Sequence, residues 1–136
     1  MTGFKIAFAG LMSFMTVALG GWDNLLYVFI SFIVLDYVTG ILSALYRKKL
    51  SSQIGLQGII KKIFLLCLVW MAVCLDSFIA PESPWIRTVV LYFMIANEGL
   101  SIIENISLTG VSIPDFIKKV LLQVQDQASI ESGGNP

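Results

Sequence analysis

The sequence predicts an all-α integral membrane protein with three transmembrane helices, an N-terminal amphipathic helix that lies on the membrane or adds a fourth span, and a C-terminal cytoplasmic amphipathic helix. Hydrophobic residues make up 57% of the 136-residue chain and charged residues 13%, whereas an ordinary soluble domain is about 25% charged. The mean hydropathy is +0.84. Since a span needs roughly 20 apolar residues, we expect three or four spans and no separate soluble domain.

The predicted number of spans, three or four, depends on whether residues 1–22 insert into the membrane. Small residues, Gly10 and Ser13 among them, recur every three or four positions, and bulky apolar residues occupy the rest of the segment. This pattern places a bulky face toward lipid and a small face toward other helices or water, so we predict an amphipathic or inserting helix. Lys5 and the apolar residues 6–19 also imitate a cleavable signal peptide.

Three apolar runs follow, and we predict that they are transmembrane helices covering residues 25–46, 61–80 and 85–106. The first contains a single charge, Asp36. The second ends at the sequence PESP, residues 81–84, because proline terminates a helix and favours a turn. The third carries two acidic residues and is the weakest by hydropathy. With the amino-terminal segment, these runs make up a predicted membrane domain of residues 1–106.

The basic residues indicate how the spans are oriented. Five of them follow the first span: Arg47, Lys48, Lys49, Lys61 and Lys62. Residues 47–62 contain no acidic residue, and we interpret them as a short basic loop. Because Lys and Arg are enriched in cytoplasmic loops, we expect this loop and the carboxyl terminus to face the cytoplasm.

The chain after the third span is more polar. Residues 107–128 are predicted to form the cytoplasmic amphipathic helix, because Phe116 and Val120 share one face while Lys118 lies elsewhere. Residues 129–136, with the sequence SIESGGNP, are predicted to be a disordered tail.

Two of the predicted spans carry a polar stripe at helical intervals. The first span contributes Asp36, Thr39, Gly40 and Ser43, and the third contributes Asn97, Glu98, Ser101, Glu104 and Asn105. One interpretation is that these side chains hydrogen-bond between helices, at about 1 kcal/mol or less each. The other is that they face water in a pore assembled from many copies, because an acid at mid-bilayer costs about 2.5–3.5 kcal/mol on insertion scales. We predict the stripes, with Gly10 and Ser13, as pore or helix-contact positions.

The composition argues against an enzyme. The chain contains no histidine, which excludes histidine triads and histidine metal sites. Asp36 and Asp76 do not suit an aspartyl protease dyad, because they lie about 15 Å and roughly 21–25 Å from the cytoplasmic ends of their helices. Nine basic residues balance nine acidic ones, so the net charge indicates no nucleic-acid partner. We predict no catalytic residue, cofactor or metal site.

Five sequence pieces together resemble the toxin-secretion and phage-lysis holins of Gram-positive bacteria and their phages. In chain order they are GGWD at 20–23, LDYVTGIL at 35–42, RKKLSSQIGLQGIIKK at 47–62, ANEGLSIIENI at 96–106 and GVSIPDFIKK at 110–119. The resemblance implies a protein of the bacterial cytoplasmic membrane whose partners are lipid and further copies of itself. It implies a homo-oligomeric, large and nonspecific pore. An endolysin, or a large clostridial toxin, would pass through it without specific binding.

Two other functions fit the same polar stripes. A small ion channel or transporter would conduct ions without passing a folded protein, although the chain shows no inverted repeat of the kind that many transporters contain. A membrane scaffold or antiholin would bind membrane partners without opening a pore.

Overall fold

The computed structural model describes residues 1–133, which form five α-helices and no β-strand. The helices are α1 (Thr2–Ala18), α2 (Asn24–Tyr46), α3 (Ser52–Ile79), α4 (Ile86–Ser107) and α5 (Asp115–Ser132). Within these residues, three helices are long and apolar enough to cross a membrane, namely α2, α3 and α4. The predicted all-α fold with three spans is therefore confirmed.

The spans alternate in direction between two ends of the bundle. We call the end that holds residues 47–51 the basic end, and the end that holds the turns at 19–23 and 80–85 the far end. The α2 helix runs from the far end to the basic end, α3 returns, and α4 runs to the basic end again. The central helix is α4, which packs against α2, α3 and α5.

The apolar core lies in the half of the bundle next to the far end. Its fully buried side chains come from three helices and are Leu26, Phe29, Val69 and Leu91. Because lipid is as apolar as these side chains, close van der Waals packing holds such spans together rather than the hydrophobic effect. Large apolar side chains such as Phe64 and Leu42 are exposed on the outside, where they suit contact with lipid.

The α3 helix begins earlier than the sequence predicts. Residues 47–62 were expected to form a loop, but α3 starts at Ser52, so Lys61 and Lys62 lie three turns inside a helix. The hydroxyl of Ser51 caps this helix by accepting a hydrogen bond from the Ile54 amide. The glycines that suggested a loop instead leave room for Tyr37, whose ring lies 3.1 Å from where a Cβ on Gly58 would stand.

The α5 helix covers Asp115–Ser132 instead of the predicted residues 107–128, and its cytoplasmic location stays a prediction. It starts at the basic end and runs back along α4, and its last residues approach the far end. It also continues to Ser132, so residues 129–132 of the predicted tail are helical. Residues 134–136, the end of that tail, lie outside the described residues.

The α1 helix contacts the bundle mainly near its carboxyl end. Phe14 meets Trp70 of α3 edge to face, with ring centroids 5.5 Å apart, and Leu19 just after the helix is buried. None of the residues of α1 itself is buried within the described chain. The prediction that this 17-residue helix lies on a membrane or inserts into it stays a prediction.

Two glycines with positive φ form the turn between α1 and α2. Gly20 has φ 87° and Gly21 has φ 92°, a backbone region that L-residues enter only at a cost. The two positions differ in their surroundings. A Cβ on Gly20 would stand 2.5 Å from Arg87 Nε, whereas a Cβ on Gly21 would meet nothing within 4 Å.

We predict that Gly20→Ala destabilises the protein more than Gly21→Ala does. Both variants incur the cost of positive φ, about 1–2 kcal/mol, but only Gly20→Ala also displaces Arg87. Unfolding of the purified protein by SDS in mixed micelles measures both values. Equal losses for the two variants would show that the contact with Arg87 has no part in stability.

Candidate functional site

Two buried acids from different helices share one lysine. The ammonium of Lys62 in α3 donates hydrogen bonds to Asp36 of α2 and to Glu98 of α4. The residues Asp36 and Glu98 are only 9% and 4% exposed. We call Lys62, Asp36 and Glu98, together with Asn105, the Lys62 cluster.

Asn105 extends the cluster by joining the two polar stripes. Its side-chain amide donates to Asp36 Oδ1 at 3.0 Å and to the Thr39 hydroxyl at 3.1 Å, and it also lies 3.2 Å from the Asp36 carbonyl oxygen. A Cβ on Gly40 would stand 3.5 Å from the same amide nitrogen, so this glycine lies directly against Asn105. The stripes of α2 and α4 therefore face each other inside one copy of the chain.

The three charged groups meet because they lie at the same depth. Lys62 is ten residues from the start of α3 at Ser52, Asp36 is ten from the end of α2, and Glu98 is nine from the end of α4. At 1.5 Å per residue, each lies about 14–15 Å from the basic end of its helix. A lone acid at that depth would cost about 2.5–3.5 kcal/mol on insertion scales, and Lys62 offsets much of this cost within one protomer.

A polar cleft leads from the basic end to the Lys62 cluster. Its volume is about 930 Å³, and Arg47 and Lys49 lie at its mouth. The remaining polar lining includes Gln57, Lys61, Asn97, Ser101 and Glu104. Apolar side chains such as Ile41 and Leu65 line the rest of the cleft. The half of the bundle next to the basic end therefore holds most of the polar groups and is open between its helices, in contrast to the packed half at the far end.

The structure brings together some of the predicted site residues and separates others. Six belong to the cluster or touch it, namely Asp36, Thr39, Gly40, Lys62, Glu98 and Asn105. Asn97, Ser101, Glu104, Arg47, Lys49 and Lys61 line the cleft. Ser43 is buried, and its hydroxyl has no hydrogen-bond partner among residues 1–133. Gly10 and Ser13 lie exposed on α1, away from the cluster, and Lys48 is exposed in the loop.

Asp76 has a different role from Asp36. Its carboxylate accepts hydrogen bonds from the backbone amides of Trp85, Ile86 and Arg87, at 3.0, 2.7 and 2.8 Å. It thus satisfies the unpaired amides at the amino end of α4, and its negative charge lies at the positive end of the helix dipole. Asp36 lies near the middle of α2, whereas Asp76 lies at the far end of α3, so the two carboxylates differ in depth as the sequence argument against a protease dyad requires.

Arg87 fastens the turn between α1 and α2 to the start of α4. Its guanidinium donates to the carbonyl oxygens of Leu19 at 2.6 Å and Gly21 at 3.0 Å, and to Asp23 at 2.7 Å. These hydrogen bonds from Arg87 hold the pKa of Asp23 below its ordinary value. Asp23 also caps α2 by accepting from the Leu26 amide at 2.8 Å.

Sequence reasoning missed the roles of Lys62, Asp76, Arg87 and Asp23. For Lys62, the available signal was Ser51, a good amino-terminal cap that would have begun the helix nine residues earlier, at Ser52, and placed the lysine at the depth of the acids. For Asp76, the signal was its position just before a proline-rich turn and the next helix, from which an acid can cap the amino end of that helix. Among residues 1–133, no group of three or more metal-ligating side chains comes together.

The family of the chain follows from its similarity to known sequences. Residues 13–126, which contain the whole Lys62 cluster, match the sequence model of the bacteriophage holin family. The chain belongs to the bacteriophage holin family. With three helices able to span a membrane, this member of the holin family is a multi-pass membrane protein.

Several relatives resemble this holin-family chain over much of their length. An uncharacterized protein of Clostridium perfringens strain 13 is 38% identical over 127 residues, covering 93% of this chain and 94% of the relative. A second C. perfringens protein, from the region 3′ of nagH, is 39% identical and covers 90% and 93%. A probable holin of Bacillus phage phi105 is 34% identical and covers 62% of each chain. No solved structure matches the chain.

We predict that Lys62→Met destabilises the protein by about 3 kcal/mol or more, because removing one partner of a buried ion pair leaves uncompensated charge. Lys61→Met is the matched control, since Lys61 is the exposed neighbour in the same helix, and it should change stability by about 0.5 kcal/mol or less. SDS unfolding in mixed micelles measures both.

A second control restores neutrality around Lys62→Met. The triple variant Asp36→Asn, Lys62→Met, Glu98→Gln removes all three charges, and we expect it to recover much of the lost stability. If Lys62→Met and Lys61→Met behave alike, the Lys62 cluster does not hold the spans together.

Proposed function

We propose that the chain is a holin, which assembles in the bacterial cytoplasmic membrane into a large nonspecific pore and thereby releases an endolysin or a large toxin. Family membership supports this function. The structural observation that carries it is the Lys62 cluster at the bottom of a polar cleft of about 930 Å³ within three apolar helices. A bundle that only anchored another domain would not need charged and polar side chains at this depth, because such side chains are costly inside a membrane.

The Lys62 cluster explains how single copies accumulate harmlessly before opening. Its charges are paired and hydrogen-bonded inside one copy, so the spans tolerate lipid without help from other copies. Two carboxylates and one ammonium nevertheless leave one uncompensated negative charge when all are ionised. A closed protomer of this kind is stable in the membrane, but its uncompensated negative charge still favours contact with water.

Opening exchanges contacts within one copy for contacts with water and with other copies. Association of many copies brings their polar clefts together, and water then solvates the acids that Lys62 alone satisfied before. The uncompensated charge also senses the membrane potential, at about 2.3 kcal/mol per elementary charge per 100 mV across the full membrane. Loss of the potential therefore changes the balance between closed and open packing.

We propose that the basic end faces the cytoplasm. Arg47, Lys48 and Lys49 stand in the loop between α2 and α3 and remain exposed, as the enrichment of Lys and Arg in cytoplasmic loops requires. The far end, with a single basic side chain that is engaged by Asp23, then faces outward.

Release of graded sizes tests the proposed function. Expression of the chain alone should depolarise cells, and lipid vesicles containing it should release both small dyes and a folded hydrolase. Release of ions alone would favour a narrow channel or transporter. Intact, polarised cells after expression would favour a scaffold or antiholin.

We predict that Asp36→Leu accumulates in the membrane like the parent but releases much less hydrolase. The variant leaves Lys62 paired with Glu98 as a neutral couple, and it removes the uncompensated negative charge that water would solvate on opening. Glu104→Leu is the matched control, because Glu104 is an exposed acid of the same cleft outside the Lys62 cluster. If Asp36→Leu releases hydrolase as the parent does, the cluster does not control opening.

A further inference from the structure

The α5 helix lies beside the transmembrane helices, although its sequence is too polar for a transmembrane helix. The helix runs antiparallel to α4, and Leu121 packs on Gly99, where a Cβ would stand 2.5 Å from Leu121 Cδ2. Farther along, Ala128 and Ser132 share a cavity of about 260 Å³ with Ile86 of α4 and side chains of α3. The helix therefore lies beside the spans over most of their length.

The depth of α5 follows from these contacts. Gly99 is eight residues from the end of α4, so Leu121 lies about 12 Å from the basic end. Asp126 is five residues farther along α5, at about 20 Å, well inside a hydrocarbon core that is about 30 Å thick. A helix in this position is at membrane depth, although its charges keep it from being a span by hydropathy.

The face of α5 turned away from α4 carries charged side chains beside exposed apolar ones such as Ile130. Leu121 and Ala128, seven residues apart, are 8% and 3% exposed and mark the packed face. Lys119 and Asp126, also seven apart, are exposed and lie on the opposite face by helical spacing. Lipid is a poor solvent for this face, because each charge at mid-membrane costs about 2.5–3.5 kcal/mol.

Water, rather than dry contact with another protein, suits this face best. In a closed ring of identical copies, each interface joins one face of a copy to a different face of its neighbour. The exposed side chains of α2 and α3 at a similar depth, such as Val34 and Leu68, are apolar, so a dry interface would leave Lys119 and Asp126 against an apolar surface at a high desolvation cost. A wide water-filled lumen solvates these charges.

We propose that α5 lines the lumen of the assembled pore, with Leu121 and Ala128 against α4 and with Lys119 and Asp126 in water. This inference rests on the proposed holin function and names the surface along which the released protein passes. It differs from the expectation of a cytoplasmic helix, in which α5 would leave α4 and lie outside the membrane.

The test locks α5 in place and then obstructs the lumen. In a background with Cys67→Ser and Cys74→Ser, the pair Gly99→Cys and Leu121→Cys is oxidised to a disulfide. The shorter side chain at 121 removes the two Leu121 carbons that a Cβ at residue 99 would meet most closely, and leaves Phe32 Cε2 at 3.1 Å from that Cβ. We expect the disulfide to form and the locked protein still to release hydrolase. No disulfide, or release only after reduction, would overturn the proposal.

Bulky labelling supplies the second measurement. In the same cysteine-free background, a large maleimide adduct on Asp126→Cys, added after opening, should lower the flux of large dyes severalfold. The control Ala128→Cys, buried against α4, should stay unlabelled. Labelling of Asp126→Cys in inverted vesicles before opening, without any effect on flux, would place α5 in the cytoplasm.

These outcomes separate the inference from the proposed function. If the unlocked variants release hydrolase while the locked protein does not, α5 does not line the lumen but the chain remains a holin. If neither the parent nor any variant releases hydrolase, the proposed function itself fails.

Discussion

The ammonium of Lys62 is the contact on which the rest of this structure depends. Two acids inside apolar helices require a partner, and the structure supplies one cation from a third helix at the same depth. This arrangement fixes the relative heights of α2, α3 and α4, since a slip by one turn, about 5.4 Å, would separate Lys62 from the acids. It also lets one copy remain in lipid before any assembly takes place.

The two ends of the bundle differ in how closely their helices are held together. At the far end, Arg87 binds three groups of the α1–α2 turn, and Asp76 caps α4. Close packing of Leu26, Phe29 and Leu91 continues this rigid half. At the basic end the helices separate around a polar cleft. Movement in the half that holds the cleft therefore requires little loss of apolar packing, so the proposed opening would begin in this half.

The sequence predicted the fold well because hydropathy and length alone define a span. It also identified the acids, since a charge in an apolar run is conspicuous. It failed for Lys62, because glycines at 55 and 58 and a run of polar residues suggested a loop, whereas packing of Tyr37 against those glycines favours a helix. For α5, the amphipathic pattern predicted that one face is covered but not what covers it, and the structure covers that face with α4. The stripes alone left contact within one copy and contact with water as alternatives, and only the cross-helix distances show that Asp36 and Asn105 meet inside one copy.

A solid-state NMR distance from lysine Nζ to the aspartate side-chain carboxyl carbon, in protein reconstituted in lipid at high dilution, measures whether Lys62 pairs with Asp36 of its own copy. Chains labelled with both ¹⁵N-lysine and ¹³C-aspartate should show a close contact, as N–H···O bonds of about 2.7–2.9 Å imply, and Asp36→Asn should abolish it. A mixture of chains that carry one label each should show no such contact. A contact that appears only in the mixture, or only after assembly, would contradict the account, because Lys62 would then serve another copy rather than its own.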